Sequence, residues 1–501
     1  MSGLAGAGVV TLIGAGPGAP DLITVRGLDR LRRAQVVLYD ELSARALLDE
    51  VPADAEVLYV GKRGEKKALG QEELSALLVE RARRGLRVVR LKGGDPFVLG
   101  RGGEEALALA AAGVPFEVVP GVTSAVAVPA FAGIPLTHRG IAEGFEVHTG
   151  HKGHAAAGRR TVVVLMGMRH LAENVAGLVQ GGLPESLPAA VVQHGTVARQ
   201  RSVVATLGTI VEAARHLESP AVLVAGEVVA LREQLAWFES RPLFGRTVLV
   251  TRARHQAAET CRLLEQLGAE TVAMPTIDLR PPADPEPLRR AVREVGSYDF
   301  LILTSANAVR PLREALAEQG LDGRALAGVT LCAIGPGTAD ALAAMGLRAD
   351  LVPADHRAEG ILELLTAERV AGRRVLLPRA AVARDILPRT LEERGAAVEV
   401  VTVYETGMPD PERTRAGLRA LEAGEVDVLT FTSASTAENF ADIVGRERLD
   451  RLCRGLVVVA IGPVTRDACR RVGLEVHVMP ESYTLAAMTE ALVRYLEAQQ
   501  T

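Results

Sequence analysis

Short apolar runs recur along the whole chain, each closed by glycines or charged residues and followed by an Ala/Leu/Arg stretch. VVTLIG leads to RGLDRLRRA and then VVLYD; further on, RVVRLKGG leads to GEEALALAAA and FEVVPG. A run that short and apolar suits a strand buried on both faces. Such strands alternating with helix-length segments build largely parallel sheets covered by helices. In open α/β sheets the ligand sits at the carboxyl ends of the strands, so the glycine-rich loops there are the places to search. The 48% of hydrophobic residues supplies the cores, and 501 residues allow about three domains of ~150 residues each.

The same totals narrow the function classes. Aromatic residues are only 3%, too few for base-stacking platforms. A net charge of −4 and a pI near 6.3 give no basic excess calling for nucleic acid. No apolar run reaches the ~18 residues of a membrane span, and MSGLAGAGVV lacks the basic start of a signal peptide. Cys261, Cys332, Cys453 and Cys469 form no CxxC pair and lie beside no histidine at ligand spacing. The expectation is a cytoplasmic chain with reduced thiols, no structural metal, no nucleic-acid partner and no membrane. Every lysine (Lys62, Lys66, Lys67, Lys92, Lys152) lies in the first third, with arginine elsewhere, which draws attention to Lys62 and Lys92.

WFESRPLFG, at Trp237–Gly245, precedes a fresh strand, TVLVTR, and places a boundary near 240–245. Beyond it the chain repeats itself. VLVTR and VLLPR (Leu249, Leu376) lie 127 residues apart, LTSANA and FTSAST (Ser305, Ser433) 128, and AIGPGTADALAAMGL and AIGPVTRDACRRVGL (Gly335, Gly462) 127. A steady period of that size predicts two copies of one α/β domain, with the matched loops lining a cleft between them.

The opening stretch GVVTLIGAGPGAP matches a dinucleotide fingerprint, with Gly14, Gly16 and Ala19 after a strand and Asp40 closing the next one. That fingerprint needs a helix to open inside the glycines so that its amides meet a pyrophosphate. Pro17, Gly18 and Pro20 keep a helix from starting before about Asp21, so the glycines form an open loop and the dinucleotide reading fails.

GAGPGAPDLITVRGL, VVLYDELS, VGKRG, RLKGGDPFVLGRGGEE, PGVTSAVAVPAFAGIPLTHR, TGH and LMGM follow one another in this order. Together they resemble the tetrapyrrole methylase family over roughly residues 8–240, and most closely its uroporphyrinogen-III C-methyltransferase branch. The resemblance implies two α/β subdomains with S-adenosylmethionine bound between them, and a homodimer formed through this half. It assigns Pro17, Gly93, Gly94, Asp95, Val98, Thr123, Ser124, Met166 and Gly195 to the cofactor, Asp95 to its polar end. Asp40 becomes the proton acceptor and Lys62 the donor. Arg101, His138, Arg139, Arg199 and Arg201 are candidates for the substrate's carboxylates, which arginine can pair bidentately. The chain departs from the family pattern at Ala19, where an acid is common, and at Leu165, where an aromatic is common. It carries no dehydrogenase and ferrochelatase module before the methylase, so the expected product is precorrin-2.

FGRTVLVTRARHQAAETCRLLEQLGAETVAMPTIDL, YDFLILTSANAV, CAIGPGTADAL, VYET, FTSASTAENF and AIGPVTRDA are similar to uroporphyrinogen-III synthase over about residues 245–495. That resemblance implies two α/β lobes joined by a two-stranded linker, one lobe made of 245–280 plus 409–495 and the other of 281–408. PPADPEP and MPDPE, whose prolines suit linkers, fall at those crossings. The reaction implied closes linear hydroxymethylbilane with inversion of its last ring. Thr304, Ser305, Thr338, Thr432, Ser433, Ser435 and Thr465 are the substrate-binding candidates, and Tyr404 the acid for hydroxyl departure. The serines and threonines read equally well as helix N-caps after strands. The fold class expected is therefore α/β throughout, a methylase followed by a duplicated two-domain synthase-like module. The function expected is bifunctional tetrapyrrole synthesis, in which the two products of the chain's chemistry are uroporphyrinogen III and precorrin-2. Two alternatives stay open: a back half that only binds or scaffolds, and a methylase acting on a later corrin intermediate. Siroheme and cobalamin are equally open as end products.

Overall fold

The computed structural model describes residues 8–40, 45–61, 69–150 and 160–499. The chain forms two compact units. One comprises Met1–Val248, Arg262–Thr271 and Val493–Thr501, the other Leu249–Cys261 and Val272–Leu492. No described helix is long and apolar enough to cross a membrane.

The first unit holds two five-stranded sheets. Strands β1 (Val9–Gly14), β2 (Val36–Tyr39), β3 (Glu56–Tyr59), β4 (Arg87–Lys92) and β5 (Phe116–Val119) are arranged β3-β2-β4-β1-β5, and every pairing is parallel. Val10, Leu12, Val36, Leu38 and Val88 pack with Leu74, Leu78 and Leu109 from the helices on one face. Ile13, Val37, Val89 and Leu91 pack with Leu31 and Leu47 on the other. Covering on both faces is why these strands read as continuous apolar runs.

The second sheet contains β6 (Gly144–Thr149), β7 (Arg160–Leu165), β8 (Pro188–Gln193), β9 (Arg201–Thr206) and β10 (Ala221–Ala225), in the order β6-β7-β10-β8-β9. Here β10 runs antiparallel to both neighbours, and only β6 and β7 pair in parallel. The helix Ser124–Phe131, which follows β5, packs Ala125 and Val128 against Val163, Leu165, Val192 and Val224 of this sheet. One helix thereby brings the loop ends of the two sheets together.

The rest of the chain adds β11 (Thr247–Val250) and β12 (Glu270–Ala273), each divided between the two units, and, in the second unit, β13 (Asp278–Arg280), β14 (Phe300–Leu303), β15 (Thr330–Ala333), β16 (Arg374–Ala380), β17 (Ala397–Gly407), β18 (Val428–Phe431) and β19 (Val457–Ala460). Two sheets result, β12-β11-β18-β19 and β13-β17-β16-β14-β15. Strand β17 is long because it serves two partners. It runs parallel to β16 as far as Tyr404, opposite Ala380, and then antiparallel to β13 from Glu405 to Gly407. Phe431 and Phe440, fully buried and edge to face at 5.3 Å, centre the core around the first of these sheets.

Candidate active sites

The first site rises from the strand ends of the first unit. Parallel register sets Gly14 opposite Lys92 and Tyr39 opposite Leu91, so β1, β2 and β4 finish in one row. The loops leaving that row lie edge to edge: the Gly94 amide donates to the Gly16 carbonyl at 2.7 Å and the Gly16 amide to the Gly94 carbonyl at 3.2 Å. The loop after β5 closes on both. A Cβ on Gly121 would stand 2.3 Å from the Gly94 carbonyl oxygen and 2.6 Å from the Gly14 Cα, so only glycine permits this stack of backbones. Asp95 ties it together, Oδ2 accepting from the Gly121 amide at 3.0 Å and Oδ1 from the Phe97 amide at 2.7 Å. Thr123 then caps the helix Ser124–Phe131, its hydroxyl accepting from the Ala125 amide at 3.3 Å.

The second sheet contributes the loops after β7 and β8. Leu165 is buried with Ala125 and Val128, so Met166, next in the chain, emerges beside the helix that Thr123 caps. Met166 has a φ of 57° and is 46% exposed. His194 and Thr196, which flank Gly195, also lie in the left-handed region, at 48° and 75°. Non-glycine residues held there cost about 1–3 kcal/mol each and cluster where function over-determines the backbone. The Thr196 hydroxyl accepts from the Ala19 amide at 3.1 Å, joining this loop to GAGPGAP, in which Pro17 is half-buried. Gly195 lies against the Val128 side chain. Burial, and then the positive charges of Arg199 and Arg201, hold the His194 imidazole below the usual histidine value, which favours its neutral form at pH 7.

Asp40 follows β2 in the row of strand ends and is paired with a cation beneath. Its Oδ2 accepts from Arg90 Nη2 at 2.9 Å, while Arg90 Nη1 donates to the Leu91 carbonyl at 2.9 Å. Arg90 is one member of a buried cluster. Glu105, fully enclosed in the helix Gly102–Ala111, accepts at Oε1 from Lys92 Nζ at 2.8 Å and from Gln71 at 3.3 Å, with Arg90 Nε at 3.5 Å. Arg90 Nε and Glu105 Oε2 are buried without a hydrogen-bond partner. Burial, and then the neighbouring Arg90, push the Lys92 ammonium below its usual value. The cluster fixes the Asp40 carboxylate in place, since a guanidinium bonded on both Nη atoms cannot swing.

Of the residues expected here, the structure brings the loops of Pro17, Gly94, Asp95, Thr123, Ser124 and Gly195 into contact, with Gly93 and Val98 on the same β4 loop and Val98 and Met166 exposed. Lys62 lies outside the described residues. Arg101, His138, Arg139, Arg199 and Arg201 are all exposed. Arg101 spans Glu104 with two bonds, Nε to Oε1 at 2.9 Å and Nη2 to Oε2 at 2.7 Å, so a substrate carboxylate has to share or displace that partner. The Asp95 carboxylate is committed at both oxygens to backbone amides, which makes it a brace of the loops. Amides, hydroxyls and exposed apolar surface at Val98 and Met166, with no bulky side chain on the glycine stack, fit a ligand that is part polar and part apolar, as S-adenosylmethionine is. Arg90, Glu105, His194 and Thr196 escaped the sequence reading. Charged residues at alternate positions inside the buried run RVVRLK were the signal for the first of them.

In the second unit the expected hydroxyls stand after strands and cap helices. The Ser305 hydroxyl accepts from the Asn307 amide at 3.1 Å, ahead of the helix Val309–Glu318. Ser433 accepts from the Thr436 amide at 3.3 Å in a reciprocal capping box, and its hydroxyl lies 3.1 Å from that of Ser435. Thr304 and Thr432 are half-buried, whereas Thr338 and Thr465, in the first turns of Pro336–Ala343 and Pro463–Arg471, are buried. Tyr404 is 9% exposed at the point where β17 passes from β16 to β13. None of the four cysteines is in a disulfide, and burial pushes the Cys332 and Cys469 thiols up to about 12 and Cys453 up to about 11.

Each unit thus presents strand-end loops of the kind that hold small polar ligands in α/β enzymes. The family described as Tetrapyrrole (Corrin/Porphyrin) Methylases matches residues 9–211, and the family described as Uroporphyrinogen-III synthase HemD matches residues 258–490. A porphyrin biosynthesis protein HemD of Ruminiclostridium josui is 38% identical over 97% of this chain and 98% of its own. A uroporphyrinogen-III C-methyltransferase of Methanocaldococcus jannaschii is 47% identical over 44% of this chain and 97% of its own. The crystal structure of uroporphyrin-III C-methyltransferase from Thermus thermophilus complexed with S-adenyl homocysteine is 41% identical, covers 44% of this chain and 99% of that one, and superposes with a TM-score of 0.38. The chain belongs to the porphyrin-biosynthesis HemD family in its fused form, a tetrapyrrole methylase joined to a uroporphyrinogen-III synthase.

Proposed function

We propose that one chain carries out two successive steps. The second unit closes hydroxymethylbilane to uroporphyrinogen III with inversion of the last ring, and the first unit methylates that product at C-2 and C-7 to give precorrin-2. The observation that carries this is the match to one relative over 97% of the chain, spanning both family regions in order.

S-adenosylmethionine, held by Pro17, Gly93, Gly94, Asp95, Val98, Thr123, Ser124, Met166 and Gly195, supplies an electrophilic methyl group. Fixing the partners of an in-line displacement is worth about 7–11 kcal/mol, and loops braced by Asp95, Thr196 and the glycine stack are suited to that task. The pyrrole carbon that gains the methyl group must shed charge by losing a ring proton. Asp40 accepts it, oriented by Arg90. Lys62 is assigned as the proton donor. Arg101, His138, Arg139, Arg199 and Arg201 give the site an exposed cationic rim for the substrate's carboxylates.

In the second unit Tyr404 protonates the departing hydroxyl, so that water leaves and an azafulvene remains. The last pyrrole ring attacks that electrophile through its already substituted carbon. Its original bond to the preceding methylene then breaks, and that methylene re-bonds to the ring's free carbon, so the ring is turned over. The proton lost as this ring regains aromaticity replaces the one Tyr404 gave. Thr304, Ser305, Thr338, Thr432, Ser433, Ser435 and Thr465 hold the polyanion in the shape that favours inversion. Exposed Val25, Phe97, Leu107 and Val126 support a homodimer formed through the first unit, and the buried, unbridged thiols support a cytoplasmic setting.

The test is a coupled assay on the whole chain with hydroxymethylbilane, with and without S-adenosylmethionine, products resolved by isomer. Type III uroporphyrinogen alone, shifting to precorrin-2 when the donor is added, is the expected result. Type I product only would overturn the synthase activity, and supplied type III substrate would then test the methylase by itself.

A further inference from the structure

The second unit contains an internal control for each of its strand-end residues. Its sheets share one strand order, β12-β11-β18-β19 matching β17-β16-β14-β15, with equivalent strands starting 127 or 128 residues apart. Side-chain neighbours follow the same offset. The backbone at Gly335 is covered by His356, and at Gly462 by Tyr483, 127 residues on in each case. Arg252, just past the end of β11, is by that rule the counterpart of Arg379 in β16.

The two arginines differ in what they touch. Arg379 donates Nη2 to Asp385 Oδ1 at 2.7 Å and Nη1 to the Arg384 carbonyl at 3.2 Å. Arg252 has no ion pair among the described residues. Its Nη1 reaches the Thr260 hydroxyl at 3.3 Å, and its Nε is buried with no partner. Glu259 is exposed and not hydrogen-bonded to it, and burial lowers the Arg252 pKa more than the charge of Glu259 raises it. The position 127 residues before Asp385 is Ala258. One copy of the fold therefore carries its own counter-ion, just ahead of the helix Ile386–Glu393, and the other has alanine at the matching sequence position, inside the helix Arg254–Gln266.

A guanidinium shielded from water without an anion destabilises a fold, so an anion from outside is the natural complement. The position of Arg252 fits that role. Gln256, four residues on, donates to Asn307 Oδ1 at 2.6 Å, and the Asn307 amide is held by Ser305. The Arg252 segment thus meets the loop after β14, where the candidates Thr304 and Ser305 stand. We propose that Arg252 binds a carboxylate of the linear tetrapyrrole through charge-assisted hydrogen bonds, and that Arg379, already neutralised by Asp385, does not. This rests on the synthase reading given above.

The test uses the full chain with hydroxymethylbilane as substrate and three variants. Arg252→Gln is expected to raise KM about 10- to 100-fold, the scale of one lost charge-assisted contact, with kcat within about threefold. Ala258→Asp, at an exposed helix position, puts a carboxylate six residues after Arg252, the spacing of Asp385 from Arg379, and is expected to raise KM about fivefold or more without lowering Tm. Arg379→Gln is expected to leave KM within about twofold. A purely structural Arg252 would lower Tm in Arg252→Gln and leave KM unmoved in Ala258→Asp. If Arg252→Gln fails to fold, Ala258→Asp decides. Unchanged KM in the folded variants overturns the assignment alone. A wild-type chain that does not cyclise hydroxymethylbilane overturns the synthase reading and this inference with it.

Discussion

At the strand ends of the first unit the backbone is the scaffold: glycines stack on glycines, Asp95 accepts two amides, and Leu99, Arg101, Met166, His194 and Thr196 carry side chains in the left-handed region. At the ends of β14 and β18 the scaffold is helix capping, with Ser305 and Ser433 holding the first turns that follow. The two arrangements suit the two tasks. A methyl transfer needs atoms aligned to a fraction of an ångström, so the first site is over-determined. Folding a flexible polyanion needs many modest contacts, a task that the proposed hydroxyl contacts, already fixed as helix caps, would suit.

Removing a brace should therefore damage the first unit more than the second. The largest stability effect is expected from Glu105→Gln, which leaves Lys92 and Arg90 buried with only Asp40 as counter-ion. Breaking such a cluster costs about 3–5 kcal/mol. Trp237 is the only tryptophan, and its indole donates to the Ala130 carbonyl at 3.0 Å, so its fluorescence during denaturant unfolding reports on the first unit. An unchanged midpoint would mean that the cluster does not carry the strand ends. Tyr404→Phe sharpens the chemistry of the second unit. The expected loss is about 10- to 100-fold in cyclisation kcat, at the low end of general-acid effects, with methylation of supplied uroporphyrinogen III intact. Full cyclisation turnover would remove Tyr404 from the mechanism. The smallest effect is expected from Ser433→Ala, about 1 kcal/mol of stability for a lost cap and less than threefold in cyclisation rate. A loss of rate out of proportion to stability would make Ser433 a substrate contact first and a cap second.

Much of this was legible in the sequence for definite reasons. Strands buried on both faces write themselves as short apolar runs, so VVTLIG, VVLYD and FEVV were readable without a partner. The GAGPGAP prolines correctly placed the first α-helix late, at Val25–Leu31 after a turn at Pro20–Leu22. The repeat put Arg252 and Arg379 in register. What stayed hidden were contacts that depend on two distant segments meeting. Nothing in RVVRLK names Glu105 as the residue that meets Lys92, because the pair forms only when the helix Gly102–Ala111 lies over β4. The difference between Arg252 and Arg379 likewise required seeing Asp385 reach one of them. Left-handed backbone at Met166, His194 and Thr196 has no sequence signature of its own, since none of these is glycine or asparagine.

The central claim is that each unit performs its own reaction. Asp40→Asn in the full chain, given hydroxymethylbilane and S-adenosylmethionine together, tests it most directly. Asparagine keeps an oxygen for Arg90 but cannot take the pyrrole proton. The account predicts that uroporphyrinogen III forms at the wild-type rate and accumulates, while precorrin-2 falls at least about 100-fold. Undiminished precorrin-2, or cyclisation lost along with methylation, would contradict it.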